Sequence, residues 1–279
     1  MCPDLGTNEW GDRGRERPMS VHDVTSDLLA EHDALDAVVA PLPDEAWATP
    51  TPSVPWTIAD QIGHLTYFDG SATLAISDPD AFAAARDELF ASVDGGEALT
   101  LGPFRAMSAT ALLAAWRETR RRLADAATTL ADDTRVVWYG PSMGAKSFLT
   151  ARVIETWAHG QDIVDTVGAV RPPTDRLRHV AQLGFITRGW SYVNRGLVPP
   201  EAPVFVELVA PSGAAWTWGP DDASDRVSGP AEDFCLVVTQ RRNIDDTALV
   251  VEGTNAREWL LCAQAFAGPP TDGPPRRVS

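Results

Sequence analysis

Three side chains in this sequence have the types and spacing of a metal-ligand set. They are His64 in WTIADQIGHLTYFD, and Glu155 with His159 in RVIETWAHGQDIVDTVG. Four residues along an α-helix is about one turn, so Glu155 and His159 project side by side. Two imidazole nitrogens and one carboxylate oxygen form a hard-to-borderline donor set that suits zinc, iron, manganese or nickel. Three protein ligands leave coordination positions open to substrate or water, the arrangement of a catalytic site. The Glu-x-x-x-His spacing alone equally describes a surface ion pair, worth roughly a few tenths of a kcal/mol. Its setting favours the metal: both segments read as helices with an apolar stripe, and His64 sits on the flank of its own.

The helices that would position these residues follow from the 3.6-residue period of the apolar positions. A first helix spans Val21 to Val39, with Leu28, Leu35 and Val39 as its seam, and the Pro-rich PLPDEAWATPTPSVP ends it. A second starts after Thr57, where Trp56 precedes the cap and Asp60 follows it by three, a variant of the capping box. Ile58, Ile62, Leu65 and Ala72 form its stripe. DPDAFAAARDELFASV reads as a continuation or short extra helix, and a third long helix covers about Ser108 to Ala131. The fourth, Ala145 to Val167, has Leu149, Val153, Trp157, Ile163 and Val167 on one stripe. Beside it, Arg152, Glu155, His159, Asp162 and Thr166 recur at spacings of three and four. A further helix is expected from Thr174 to Tyr192. Beyond Pro199 and Pro200 the pattern changes to short strands: VFVELVA and AAWTWG around Pro-Ser-Gly form a hairpin. RVSGPAEDFCLVVTQ turns into a helix near Pro230, ALVVEG is a strand, and NAREWLLCAQAF closes as a helix.

Composition removes several function classes. A net charge of −16 and a pI near 4.6 argue against nucleic acid and against an anionic membrane surface. No stretch approaches the roughly 20 apolar residues of a membrane span. The opening MCPDLGTNEWGDRGRERP lacks the apolar core of a secretory signal and reads as a flexible leader. Cys2, Cys235 and Cys262 are too few and scattered for a disulfide framework or a cysteine-based zinc site, and the latter two read as buried thiols of a cytoplasmic protein. Lys146 is the only lysine among 23 basic residues, a bias expected of GC-rich DNA. At 279 residues, folding buries roughly three quarters of the unfolded surface, enough for a real core.

The polar residues around the ligand set carry alternatives. Asp162 either orients His159 from behind or simply continues the polar face. Arg152, one turn before Glu155, either binds an anionic substrate or the sugar of a cofactor, or pairs with Glu155. His22, His32 and His179 have charged neighbours and read as solvated surface. Trp56 and Trp157 read as packing and helix-entry residues that could also wall a cavity.

The two ligand segments together resemble the DinB-like metal proteins, and among them the mycothiol-dependent maleylpyruvate isomerase family. WTIADQIGHLTYFD is similar to the family's second-helix signature and RVIETWAHGQDIVDTVG to its metal helix. The resemblance implies an α+β fold: a DinB-like four-helix bundle over about 20–198 and a small α/β, sterol-carrier-like domain over about 199–268. Residues 1–19 would be the leader and 269–279 a disordered tail. It implies His64, Glu155 and His159 as ligands of a divalent metal, usually zinc, with mycothiol as co-substrate. It also implies a catalytic arginine in the C-terminal domain, for which Arg241 and Arg242 in VVTQRRNIDD lie at a comparable place. The expected function is S-transfer to, or cis–trans isomerisation of, a small electrophilic metabolite. The rivals are metal-assisted hydrolysis and a non-catalytic metal- or ligand-binding protein. A homodimer is compatible with the Trp-rich apolar content, but no residue pattern specifies one.

Overall fold

The computed structural model describes residues 19–92 and 96–277; the expected leader, with Cys2, lies outside the described residues apart from Met19. The chain divides after Arg171 into two compact units.

The N-terminal unit is built on four long helices, α1 (Val21–Val39), α2 (Ile58–Ser77), α6 (Ala109–Ala127) and α7 (Ala145–Val167). Between α2 and α6 lie α3 (Pro79–Ala91) and two single turns, α4 (Glu97–Thr100) and α5 (Gly102–Arg105). Just before α7, the two-residue strands β1 (Arg135–Val136) and β2 (Met143–Gly144) pair antiparallel. The helix starts are chemically specified. Ser20 caps α1 and Thr57 caps α2 in reciprocal capping boxes with Asp23 and Asp60, so orphan amides at each entry find side-chain acceptors. α1 packs on α7, and α2 on both α6 and α7. Ile58, Ile62 and Leu65 of α2 meet Leu35, Trp116 and Ile163 in one apolar cluster, each fully buried. A second cluster joins Leu28, Ala72, Leu123, Phe148 and Val153. These stripes determine which flank of α2 and of α7 remains for polar chemistry.

Arg171 closes this unit. Its guanidinium donates to Glu31 Oε1 (3.2 Å), the Trp157 carbonyl (3.1 Å) and Gln161 Oε1 (2.9 Å), and it lies over the Trp157 ring. Gly160 leaves the room: a Cβ there would stand 2.8 Å from Arg171 Nη1.

The C-terminal unit carries a four-stranded sheet. Strands β3 (Val204–Val209) and β4 (Ala215–Trp218) form the expected hairpin, β5 (Asp225–Pro230) runs parallel to β3, and β6 (Val250–Glu252) is antiparallel to β5. Their order across the sheet is β4-β3-β5-β6. Helix α10 (Ala231–Val238) follows β5, and α11 (Thr254–Cys262) starts where Asp225 accepts the Ala256 amide and the Asn255 side chain.

Two segments differ from expectation. The single helix expected over Thr174–Tyr192 is α8 (Leu177–Ile186) and α9 (Arg188–Val193), broken at Thr187, whose hydroxyl bonds back to the Leu183 carbonyl. Both belong to the C-terminal unit rather than to the bundle. α8 approaches α10 so closely that a Cβ on Gly184 would meet Val238 at 2.6 Å. The tail expected to be disordered is held through its described residues. Gln240 and Gln264 donate to the carbonyls of Thr271 and Pro269, Arg195 pairs with Asp272, and Asn243 bonds to the Pro274 carbonyl. No helix among the described residues is long and apolar enough to cross a membrane.

Candidate metal centre

His64 comes from the middle of α2, and Glu155 and His159 from adjacent turns of α7. Packing of the two apolar stripes brings their remaining flanks together. One ligand-type atom from each of the three side chains lies within 4.8 Å of those of the other two. Glu155 Oε2 is 3.3 Å from His64 Nε2 and 3.2 Å from His159 Nε2. The cluster is neither dry nor on the open surface: the side chains of His64, Glu155 and His159 are 17%, 33% and 15% exposed. A small ligand can therefore reach them while bulk water is held back.

The protons on His159 follow from its neighbours. Gln61, on α2 one turn before His64, is fully buried. Its amide nitrogen lies 2.9 Å from Thr51 Oγ1 and 3.3 Å from Asp162 Oδ2. An ionised carboxylate only accepts, so the NH2 faces Asp162 and the Gln61 oxygen faces His159 Nδ1, at 2.6 Å. Nδ1 is then the donor. When the ring is neutral, Nε2 presents a lone pair to the Glu155 carboxylate 3.2 Å away. Two electron-rich atoms at that separation call for a proton or a cation between them. Metal-bound histidines use the same device, donating the second ring N–H to a fixed acceptor.

Electrostatics agree. Burial pushes the His64 imidazolium down to about 4, and the like charge of His159 adds to this against the opposing pull of Glu155. Neutral His64 is the form that ligates. Burial would raise the Glu155 carboxyl, but the adjoining His159 and His64 rings overcome it and hold the group well below the ordinary range, so the carboxylate is charged. The chain thus presents one carboxylate and imidazole lone pairs, which fits a divalent cation.

Aromatic rings wall the cluster. The loop before α2 folds back through Thr51, whose amide and hydroxyl both donate to the Trp56 carbonyl. This seats the Trp56 indole 4.9 Å from the His64 ring and 5.7 Å from His159, and Phe68 lies 4.6 Å from His64.

The structure brings together the three expected ligands within one unit. Arg152 is not presented beside Glu155. It is 3% exposed and bonds through Nε (3.0 Å) and Nη2 (2.8 Å) to Asp69 Oδ1. Its guanidinium is engaged with a core carboxylate rather than with Glu155. Asp162 acts behind the ligands, holding Gln61 and accepting from Ser53 Oγ at 2.8 Å. His32 and His179, expected on the surface, are 1% and 6% exposed; His32 Nε2 lies 3.2 Å from Asp69 Oδ2, though neither atom completes a hydrogen bond. Cys235 is buried as expected, whereas Cys262 is only half-buried. Arg241 and Arg242 lie just past α10, donating to the carbonyls of Thr239 and Arg241. Gln61 and Thr51 were missed in the sequence. The legible signal was the i,i+3 spacing of Gln61 and His64 on the polar flank of α2.

A helical bundle precedes a small mixed unit along the chain, and known proteins match each part. The family described as "Mycothiol maleylpyruvate isomerase N-terminal domain" matches residues 28–164, and that described as "Wyosine base formation" matches residues 200–252. The uncharacterized proteins Rv0036c and MT0041 of Mycobacterium tuberculosis, strains H37Rv and CDC 1551, are each 47% identical over 248 residues, 89% of this chain and 96% of theirs. Two crystal structures of a mycothiol-dependent maleylpyruvate isomerase share the fold. The first, a mutant form, has a TM-score of 0.58 at 16% identity over 83% of this chain and 93% of that one. The second has a TM-score of 0.57 at 15% identity over 84% and 93%. The chain belongs to one family with these mycobacterial proteins, and its residues 28–164 carry the mycothiol maleylpyruvate isomerase N-terminal domain.

Proposed function

We propose that this protein is a metal-dependent enzyme that uses a low-molecular-weight thiol, mycothiol, to modify a small electrophilic metabolite by S-transfer or cis–trans isomerisation. The observation that carries the reading is the convergence of His64, Glu155 and His159 on one partly open point, with His159 Nδ1 tied to Gln61. Those three side chains would hold the divalent cation, and zinc suits the donor set best. Bound there, the cation supplies the charge that favours thiolate over thiol near neutral pH.

Both reactions use that thiolate. In isomerisation its sulfur adds to one carbon of an electron-poor alkene, the former double bond rotates, and elimination returns the thiolate. In S-transfer the sulfur displaces a leaving group, which departs with the electron pair. Trp56 and Phe68 offer flat apolar surface beside the ligand rings, limiting water there. Arg241 or Arg242 would hold the substrate's carboxylate, since a guanidinium binds a carboxylate with two parallel hydrogen bonds. The free thiols Cys235 and Cys262 suit a reducing, cytoplasmic setting. A structural, non-catalytic metal would draw support from Asp162 as a fourth ligand, but its carboxylate is engaged with Ser53 and Gln61.

The test is elemental mass spectrometry on untagged full-length protein beside a His64→Ala/His159→Ala variant. We expect about one zinc per chain, lost in the variant. No metal in the wild-type protein, even after reconstitution, overturns the reading. Turnover of electrophilic metabolites should then require mycothiol, and Arg241→Ala or Arg242→Ala should lower it without releasing metal. Thiol-independent turnover would point instead to hydrolysis by an activated water.

A further inference from the structure

Directly below the ligand cluster, α1, α2 and α7 meet in a second polar group, His32, Asp69 and Arg152, with side chains 1%, 0% and 3% exposed. Asp69 Oδ1 accepts both Nε and Nη2 of Arg152, and its Oδ2 lies 3.2 Å from His32 Nε2. Burial would raise the Asp69 carboxyl, but Arg152 and His32 hold it below its usual range. The carboxylate is therefore charged in the core. A buried ion pair is poor evidence for stability, because desolvation offsets most of the Coulomb attraction and apolar residues of similar size often do as well. Its distinctive property is direction: it sets register, which non-directional apolar packing does not.

The register in question runs through the metal site. Read along the two antiparallel helices, α2 and α7 touch at three polar levels: Gln61 with His159 and Asp162, His64 with Glu155, and Asp69 with Arg152. The ligand level lies between the other two. On α2 it is about 7.5 Å from Asp69, and on α7 about 4.5 Å from Arg152, at 1.5 Å per residue. A slip of a single residue displaces one helix by about 1.5 Å, whereas a metal site tolerates about 0.2 Å in its ligand distances. We infer that the buried His32–Asp69–Arg152 triad is a positioning device, fixing the register of α2 against α7 and hence the separation of His64 from Glu155 and His159.

This inference rests on the metal reading above, and the experiment separates the two. Full-length wild-type protein and a His32→Leu/Asp69→Leu/Arg152→Met variant are stripped of metal. Each is then titrated with Zn²⁺ and with Co²⁺, recording affinity, the Co²⁺ visible absorption and the melting temperature of the metal-free form. The expected result is a melting temperature within a few degrees of wild type, at least a tenfold loss of Zn²⁺ affinity, and a shifted Co²⁺ band. Arg152→Lys, which keeps the charge but not the two-pronged contact, should move affinity and band the same way by less, and covers the case in which the triple variant does not fold. Unchanged affinity and spectrum in a folded variant overturn the inference and leave the triad as packing. Wild-type protein that takes up neither ion overturns the metal reading, and the inference with it.

Discussion

His32 stands 3.2 Å from Asp69, and His64 stands 3.3 Å from Glu155, one level apart in the same helical unit. The two contacts are alike in chemistry and opposite in how they are completed. Asp69 is fully enclosed, and Arg152 supplies its counter-charge from within the chain. Glu155 is one-third exposed, and among the described residues its ion-pair partners are only His64 and His159. The difference teaches that a histidine–carboxylate contact acquires its meaning from the third group. Closed by arginine, it is an enclosed internal tie. Closed by a second imidazole, it is a negative, partly open pocket whose nearest atoms are lone pairs.

Three measurements would break or sharpen that contrast. The largest effect belongs to the closed cluster. Arg152→Met leaves a buried carboxylate without its cation, and we expect a loss of about 3–5 kcal/mol in urea unfolding. Glu155→Gln, the corresponding loss of charge in the open cluster, should cost well under half of that. Equal losses would mean that the clusters do not differ in kind.

Next in size is the pH dependence of the metal-free protein. The folded-state pKa of His64 lies near 4, below the roughly 6.5 of an unfolded histidine. Between those values the unfolded chain binds the extra proton, so stability falls as pH drops from about 6.5 towards about 4, by at most about 3 kcal/mol. Above that window the contribution is fully present. Bound metal should deepen the fall, because protons then compete with it for the imidazole. A His64→Phe variant that keeps the same slope would remove His64 as its source.

The smallest effect expected is that of Gln61→Leu. It removes the acceptor for His159 Nδ1 and should weaken metal binding by roughly 10- to 100-fold, measured by competition with a chromophoric chelator. Wild-type affinity would mean that the His159 ring is held by packing against Trp56 alone.

The sequence showed much of this architecture because its cues are local. Thr57–Asp60 capping, the stripes of α2 and α7, and the Pro-Ser-Gly hairpin each lie within a few residues. The ligand trio was legible for the same reason, two of its members being one turn apart. His32 was not legible. Flanked by Glu31 and Asp33, it has the local signature of a wet face, whereas its neighbours in the core, Asp69 and Trp116, lie far along the chain. Arg152 deceived in the same way: its spacing lines it up with Glu155, while its guanidinium turns to a carboxylate on another helix. Likewise the Pro-Gly-rich tail looks disordered in composition because its anchors, Gln240, Gln264 and Arg195, lie elsewhere in the chain.

Arg171 has a practical bearing on how the gene can be divided. Helix α7 ends at Val167, which invites a truncation at Gly168. Such a fragment would discard the guanidinium that reaches back to Glu31, the Trp157 carbonyl and Gln161. A stop codon after Pro172 would retain that clasp. For isotope labelling of a shorter polypeptide, those few codons separate a fragment that keeps its own fastening from one that frays at its last turn.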